Sequence, residues 1–94
     1  MSAAAPEDRA TRLKRLRMRA WRRGIKEMDL ILGGYADAAL DGLDAAGLDR
    51  FEAALAENDH DLLAWVTGRD APPARHAALI GDLRDRGAAG TFTI

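Results

Sequence analysis

Arg22-Arg23-Gly24-Ile25-Lys26-Glu27-Met28-Asp29-Leu30-Ile31-Leu32-Gly33-Gly34-Tyr35 is the stretch on which the reading of the fold turns. A strongly basic helical segment ends at Gly24, and an acidic, apolar helix begins at once. Gly24 has no Cβ, so it can take a positive φ or let another backbone come close. With residues 25–28 as the first helical turn, Glu27 lies where exposed N–H groups and the macrodipole favour a carboxylate. Arg23 and Glu27, four residues apart, can share one surface. The residues alone predict a tight corner carrying one cation and one anion. Its structural reading is a helix-start carboxylate and an ion pair, worth less than about 1 kcal/mol if exposed.

The periodicity on either side of the corner predicts helices throughout. Upstream, a first helix starting near Asp8 or Thr11 runs to Arg22, with Leu13, Leu16 and Ala20 inward and Met18 and Trp21 widening that stripe. Arg12, Arg15, Arg19 and Arg22 fall on the opposite face. A second helix runs from about Ile25 to Leu40, burying Met28, Ile31 or Leu32, Tyr35 and Ala39. Gly33-Gly34 inside it costs about 1 kcal/mol per glycine relative to alanine, which calls for a close approach, a kink or simple tolerance. Asp41-Gly42-Leu43-Asp44 reads as a turn with Asp44 as N-cap. A third helix spans Ala45 to about Glu57, with Leu48, Phe51 and Leu55 inward. A short fourth runs from Asp59 or His60 to Thr67, burying Leu62, Trp65 and Val66, and stops at Gly68. Pro72-Pro73 opens a fifth, reaching about Arg86, with Leu79, Ile80 and Leu83 inward. The expected architecture is all-α: a compact five-helix bundle in a single domain of residues 8–86, between a disordered start (1–7) and a flexible tail (87–94).

Composition narrows the chemistry. Ninety-four residues leave room for one core, and alanine is plentiful while β-branched and aromatic residues are few. Without cysteine there are no disulfides, thiolate nucleophiles or cysteine metal sites; the absence fits a reducing compartment, and a cytoplasmic location is expected. No apolar run approaches the roughly 20 residues that span a bilayer. His60 and His76 are the only imidazoles, lack helical ligand spacing and have no ligand cluster around them in sequence, so no metal site is expected. Hydroxyl nucleophiles paired with a histidine base are equally scarce, and no glycine-rich phosphate loop follows a strand. No catalytic residue is assigned. The sequence does not read as an enzyme.

The net charge of −1 conceals an asymmetry, with +7 over residues 1–26 and −8 over residues 27–94. Such a division can mark nucleic-acid contact or an acidic partner; it can equally be internal, a basic helix lying against acidic neighbours. The arginine face of the first helix has no interleaved aromatics, so a solvated helix face is preferred to an RNA surface. Phe51 and Trp65 read as core, and Trp21 less so.

Arg23-Gly24-x-x-Glu27, followed by Met28-Asp29-Leu30-Ile31-Leu32 and Tyr35, resembles the SdhE-type flavinylation factors of succinate dehydrogenase. Asp59-x-Asp61-Leu62-Leu63-x-Trp65 is similar to that family's second recurring string, and the resemblance covers roughly residues 12 to 85. Gly34 departs from the pattern, which has a longer residue after one glycine. The resemblance implies a non-enzymatic assembly factor. It would bind the flavoprotein subunit of succinate dehydrogenase, and of fumarate reductase, and promote covalent attachment of FAD to a histidine of that partner. It implies that FAD ends on the partner and is not stably bound here. It also implies a partner-binding corner: Arg23 pairing with an acidic or carbonyl group, Gly24 permitting close approach, Glu27 accepting hydrogen bonds, and Arg17, Asp29 and Leu30 extending the surface. The other classes are a nucleic-acid or antitoxin-like module using the arginine face, and a direct FAD carrier.

Overall fold

Each helix begins where a short polar side chain or a special backbone geometry allows it. The computed structural model describes residues 7–88, and the statements below concern those residues. The expectations for residues 1–6 and 89–94 lie outside them. Asp8 opens α1 (Arg9–Ala20) by accepting the Thr11 N–H at 2.7 Å. The next helix, α2 (Lys26–Ala39), has Ile25 at its cap and no side-chain cap bond, and a 3-10 turn (Leu40–Gly42) follows it. Asp44 caps α3 (Ala45–Leu55) through the Gly47 N–H at 2.8 Å, as the turn reading anticipated. Asn58 caps α4 (Asp59–Val66) by accepting from His60 N–H and Asp61 N–H. Gly68, at φ +83°, follows the end of α4, and α5 (Ala74–Ala88) starts just after the two prolines. The expected five-helix, all-α architecture is present, with boundaries displaced by about two residues.

One core joins all five helices. Leu16 and Ala20 of α1 meet Met28, Ile31, Leu32, Tyr35 and Ala36 of α2. Leu48, Phe51 and Leu55 of α3, Leu62 of α4, and Leu79, Ile80 and Leu83 of α5 complete it. Both Ile31 and Leu32 are buried, whereas the sequence left a choice between them. Tyr35 stacks on Phe51 with ring centroids 5.6 Å apart, and the Arg86 guanidinium lies 5.2 Å from the Tyr35 ring centre. Burial, followed by Asp82, pushes the Tyr35 phenol up to about 12.

The inward stripe of α1 is narrower than its sequence predicts. Met18 is 44% exposed and Trp21 39%, so neither widens the core. The reason is that α1 is gripped on its flanks by charge. Arg12 pairs with Asp49 (2.7 Å) and Glu52 (3.0 Å), and Arg15 with Glu7 (2.9 Å) and Glu52 (3.0 Å). Arg17 reaches Asp41 at 3.1 Å and Asp37 at 3.4 Å. The charge asymmetry is therefore largely internal: the basic helix lies against acidic positions of α2 and α3.

This arrangement has an acid limb. Hydrogen bonding to the Arg15 guanidinium, helped by Arg12 and opposed by burial, holds the Glu52 carboxyl below its ordinary 4.5. His76, then Arg75, does the same to Glu57. A lowered folded-state value gives stability that is complete above the unfolded value and is lost as pH falls through the folded one. The melting midpoint should therefore decline as the pH drops below about 4.5, and Glu52→Gln should make that decline shallower. Melting curves between about pH 7 and pH 3 check this, and an unchanged slope in the variant would count against the assignment.

Candidate functional site

The corner between α1 and α2 is built around the inward turn of Arg23. Its Nε donates to Asp59 Oδ1 at 2.7 Å, one Nη to the Leu55 carbonyl at 2.6 Å and the other to the Glu57 carbonyl at 2.8 Å. Arg23 is only 11% exposed at its side chain and Asp59 13%. The Leu55 carbonyl ends α3 and that of Glu57 lies two residues beyond, where main-chain oxygens lack helical partners and a cation opposes the negative end of the dipole. Arg23 thus closes α3 and pairs with the first residue of α4. Its own N–H donates to Asp29 Oδ1 at 2.6 Å, so Asp29 holds the start of the corner from one turn inside α2. The pairing expected between Arg23 and an acidic or carbonyl group exists, with groups of its own chain.

Gly24 follows at φ +108°, a backbone state that L side chains rarely adopt. A Cβ there would have only Asp59 Oδ2, 3.9 Å away, within 4 Å, so space is not what requires glycine; backbone conformation is. Glu27 is exposed on the first turn of α2 and has no hydrogen-bond or ion-pair partner among the described residues. The intrachain pair of Arg23 with Glu27 does not form, because Arg23 is committed to Asp59. Leu30 is half-buried one turn further on. Arg17 belongs elsewhere: its partner Asp37 lies ten residues beyond Glu27, about 15 Å along α2. The structure therefore separates the six residues singled out from sequence. Gly24 and Glu27 face outward, Arg23 and Asp29 hold them from inside, Leu30 sits at the margin, and Arg17 serves a different contact.

Replacing Gly24 should strain the corner at a cost of about 1–3 kcal/mol for alanine, because the positive φ must be kept or the hinge rebuilt. Gly24→Arg should impair function more, since it also places a long cation beside Arg23 and Asp59. Melting midpoints of Gly24→Ala and Gly24→Arg test the strain; parent-like midpoints for both would reject it.

Several residues escaped the sequence reading. Asp59, noticed as part of the second string, is the carboxylate that receives Arg23, so the two strings meet as one ion pair across 36 positions. His76 is buried, with Nε2 at 2.5 Å from Glu57 Oε2 and its ring stacked on Trp65 at 5.6 Å. Arg75 adds a 2.9 Å contact to the same carboxylate oxygen. The α3–α4 connection is consequently fastened by Arg23 on one side and by α5 on the other. A separation of 19 residues between Glu57 and His76 offers no periodic signal. Gly33 also finds its reason here: a Cβ would overlap Cδ2 and Cε2 of the Trp21 indole, which lies against the α2 backbone. The close approach allowed for at Gly33 is that of an α1 side chain.

Among the described residues no three His, Cys, Asp or Glu side chains converge as metal ligands, and no helix is long and apolar enough to cross a membrane. Residues 14–86 match a family described as the flavinator of succinate dehydrogenase. The chain is similar to a mitochondrial succinate dehydrogenase assembly factor 2 of Mycosarcoma maydis, 41% identical over 71 residues, covering 76% of this chain and 30% of that protein. It is also similar to the FAD assembly factor SdhE of Acetobacter pasteurianus, 37% identical over 68 residues, covering 72% of this chain and 62% of that one. A mitochondrial succinate dehydrogenase assembly factor 2 of Schizosaccharomyces pombe is 37% identical over 67 residues, covering 70% of this chain and 48% of the relative. The chain thus spans between 30% and 62% of the length of these relatives.

Proposed function

The chain belongs to the family of succinate dehydrogenase flavinators, and on that premise we propose that it binds the flavoprotein subunit of succinate dehydrogenase and promotes covalent attachment of FAD to it. The named relatives are assembly factors, not catalytic enzymes, which supports a role exerted through binding. The observation that carries the reading is the corner itself. An exposed carboxylate without an intrachain partner, Glu27, stands beside a glycine at φ +108°. Both sit on a hinge fixed by four hydrogen bonds from Arg23. An acceptor carried on fixed backbone suits close engagement by another protein, because the Glu27 side chain alone is left to be ordered at that point.

Covalent flavinylation needs the flavin and the receiving side chain held in a reactive geometry, and positioning is a large lever for such a step. In this reading the protein contributes geometry: Gly24 lets the partner's surface approach, and Glu27 accepts hydrogen bonds from it. Arg23 and Asp29 act one step removed, by fixing where those two residues stand. FAD ends on the partner and is not retained by this chain. The flavoprotein of fumarate reductase, which poses the same chemical problem, is a second substrate of the same kind.

The test is complementation. A strain lacking its own factor is supplied with this protein, and flavin fluorescence is read from the denatured flavoprotein subunit in a gel. Restored fluorescence is expected. A flavoprotein that stays dark while the protein is expressed and folded would refute the assignment. The nucleic-acid reading loses support from the structure, because Arg12, Arg15 and Arg19, three of its four arginines, are paired with carboxylates of this chain.

A further inference from the structure

We propose that the outward face of α1 and the two residues that follow it form a second docking surface, with Met18 and Trp21 as apolar anchors between Lys14 and Arg22, for an acidic, apolar-faced segment of a protein partner. The proposal rests on the reading of the corner as a contact for the flavoprotein subunit and extends that contact along α1. Lys14 and Met18 are one turn apart on α1, on the side away from Leu16 and Ala20, while Trp21 is the C-cap of that helix and Arg22 the residue after it. Met18 and Trp21 are the large apolar side chains left exposed among the described residues. Lys14, Met18 and Arg22 line one groove along the helix.

The indole is held in place. One face lies on Gly33, and Nε1 donates to Asp37 Oδ1 at 3.4 Å, so the ring is ordered before anything meets it. A pre-placed aromatic loses little freedom on binding, and Trp, Met and Arg are the side chains enriched at the centre of interfaces. Charge identifies the occupant. Arg12, Arg15 and Arg17 have carboxylate partners, whereas Lys14 and Arg22 have none within ion-pair distance among the described residues. Two available cations flanking an apolar anchor suit a protein segment that carries both acidic and apolar side chains. Single-stranded nucleic acid is a poorer fit, because stacking successive bases needs several aromatic plates and α1 exposes one.

Binding of the purified full chain to the purified flavoprotein subunit of succinate dehydrogenase tests this by titration calorimetry. Trp21→Ala and the double variant Lys14→Glu/Arg22→Glu should each weaken binding by about tenfold or more. Gly33→Ala, which displaces the indole without deleting it, should weaken it as well. In a Trp65→Phe background, emission from Trp21 should shift to the blue when the complex forms. If Trp21→Ala lowers the melting midpoint, the charge-reversal pair carries the test alone. Variants that bind within about twofold of the parent, while Glu27→Ala loses binding, sink this inference and leave the corner standing. A parent protein that does not bind the flavoprotein removes both. An emission change with poly(U) at physiological salt, absent with the flavoprotein, reassigns the face to nucleic acid.

Discussion

Glu27→Ala is expected to leave the protein folded and to bring covalent flavinylation of the partner close to nothing. The structural half of that expectation comes from exposure: Glu27 stands in water with no partner among the described residues. Its only contribution to the fold is a carboxylate near the start of α2, worth about 0.3–1 kcal/mol. The helical spectrum should not change, and the melting midpoint should fall by only a few degrees, about 4–8 °C per kcal/mol for a domain of this size. The functional half follows from what the same carboxylate does in a complex. A charged acceptor that becomes desolvated at an interface leaves its partner's donors unpaired when removed, at about 2–5 kcal/mol. That difference is a factor of roughly 30 to 5,000 in the population of the productive complex. Glu27→Gln keeps the shape and some acceptor capacity, so it should fall between parent and alanine. Flavin fluorescence of the denatured subunit ranks the three proteins. Full fluorescence with Glu27→Ala means the functional corner has been placed wrongly; an unfolded variant means Glu27 is structural.

Arg23→Ala should do the opposite, failing as a fold before it fails as a contact. Removing it strips the carbonyls of Leu55 and Glu57 of a donor and leaves Asp59 nearly buried without its cation. Breaking such a pair from one side costs about 3 kcal/mol, the lower end of the usual range because Asp59 retains some contact with water. For a domain of this size that is a drop of about 12–24 °C in the melting midpoint. Arg23→Lys should recover part of the loss, since an ammonium can meet Asp59 but cannot span three acceptors in one plane. Asp59→Asn should cost less than Arg23→Ala, because the two carbonyl bonds survive. Flavinylation by Arg23→Ala, assayed well below its melting midpoint, should be reduced less than with Glu27→Ala at the same temperature. Reversed ranking in the two assays, with Arg23→Ala stable and inactive, would make Arg23 a direct contact.

These contrasting expectations come from two residues that one short string places side by side. Spacing says that Arg23 and Glu27 can share a surface, and local physics offers them to each other. The Arg23 side chain leaves that pairing because the end of α3 and the start of α4 pass beneath the corner with three acceptors. The functional group left over is the one with nothing opposite it.

What the sequence by itself determined is whatever depends on near neighbours in the chain. The stripes of α2, α3 and α5, the cap at Asp44, the stops near Gly24 and Gly68, and the all-α class all follow from interactions within about four residues. Family membership was legible for a related reason, since Arg23-Gly24-x-x-Glu27 and the string around Asp59 keep their order along the chain. The tertiary structure alone decided which charges are occupied and which are available. Arg23 and Asp59 are 36 residues apart, Arg12 and Glu52 are 40, and Glu57 and His76 are 19; no periodicity encodes such distances. The exposure of Met18 and Trp21 was decided in the same way. A helix's inward stripe is only as wide as the neighbours packed on it, and on α1 the flanks went to ion pairs with α2 and α3.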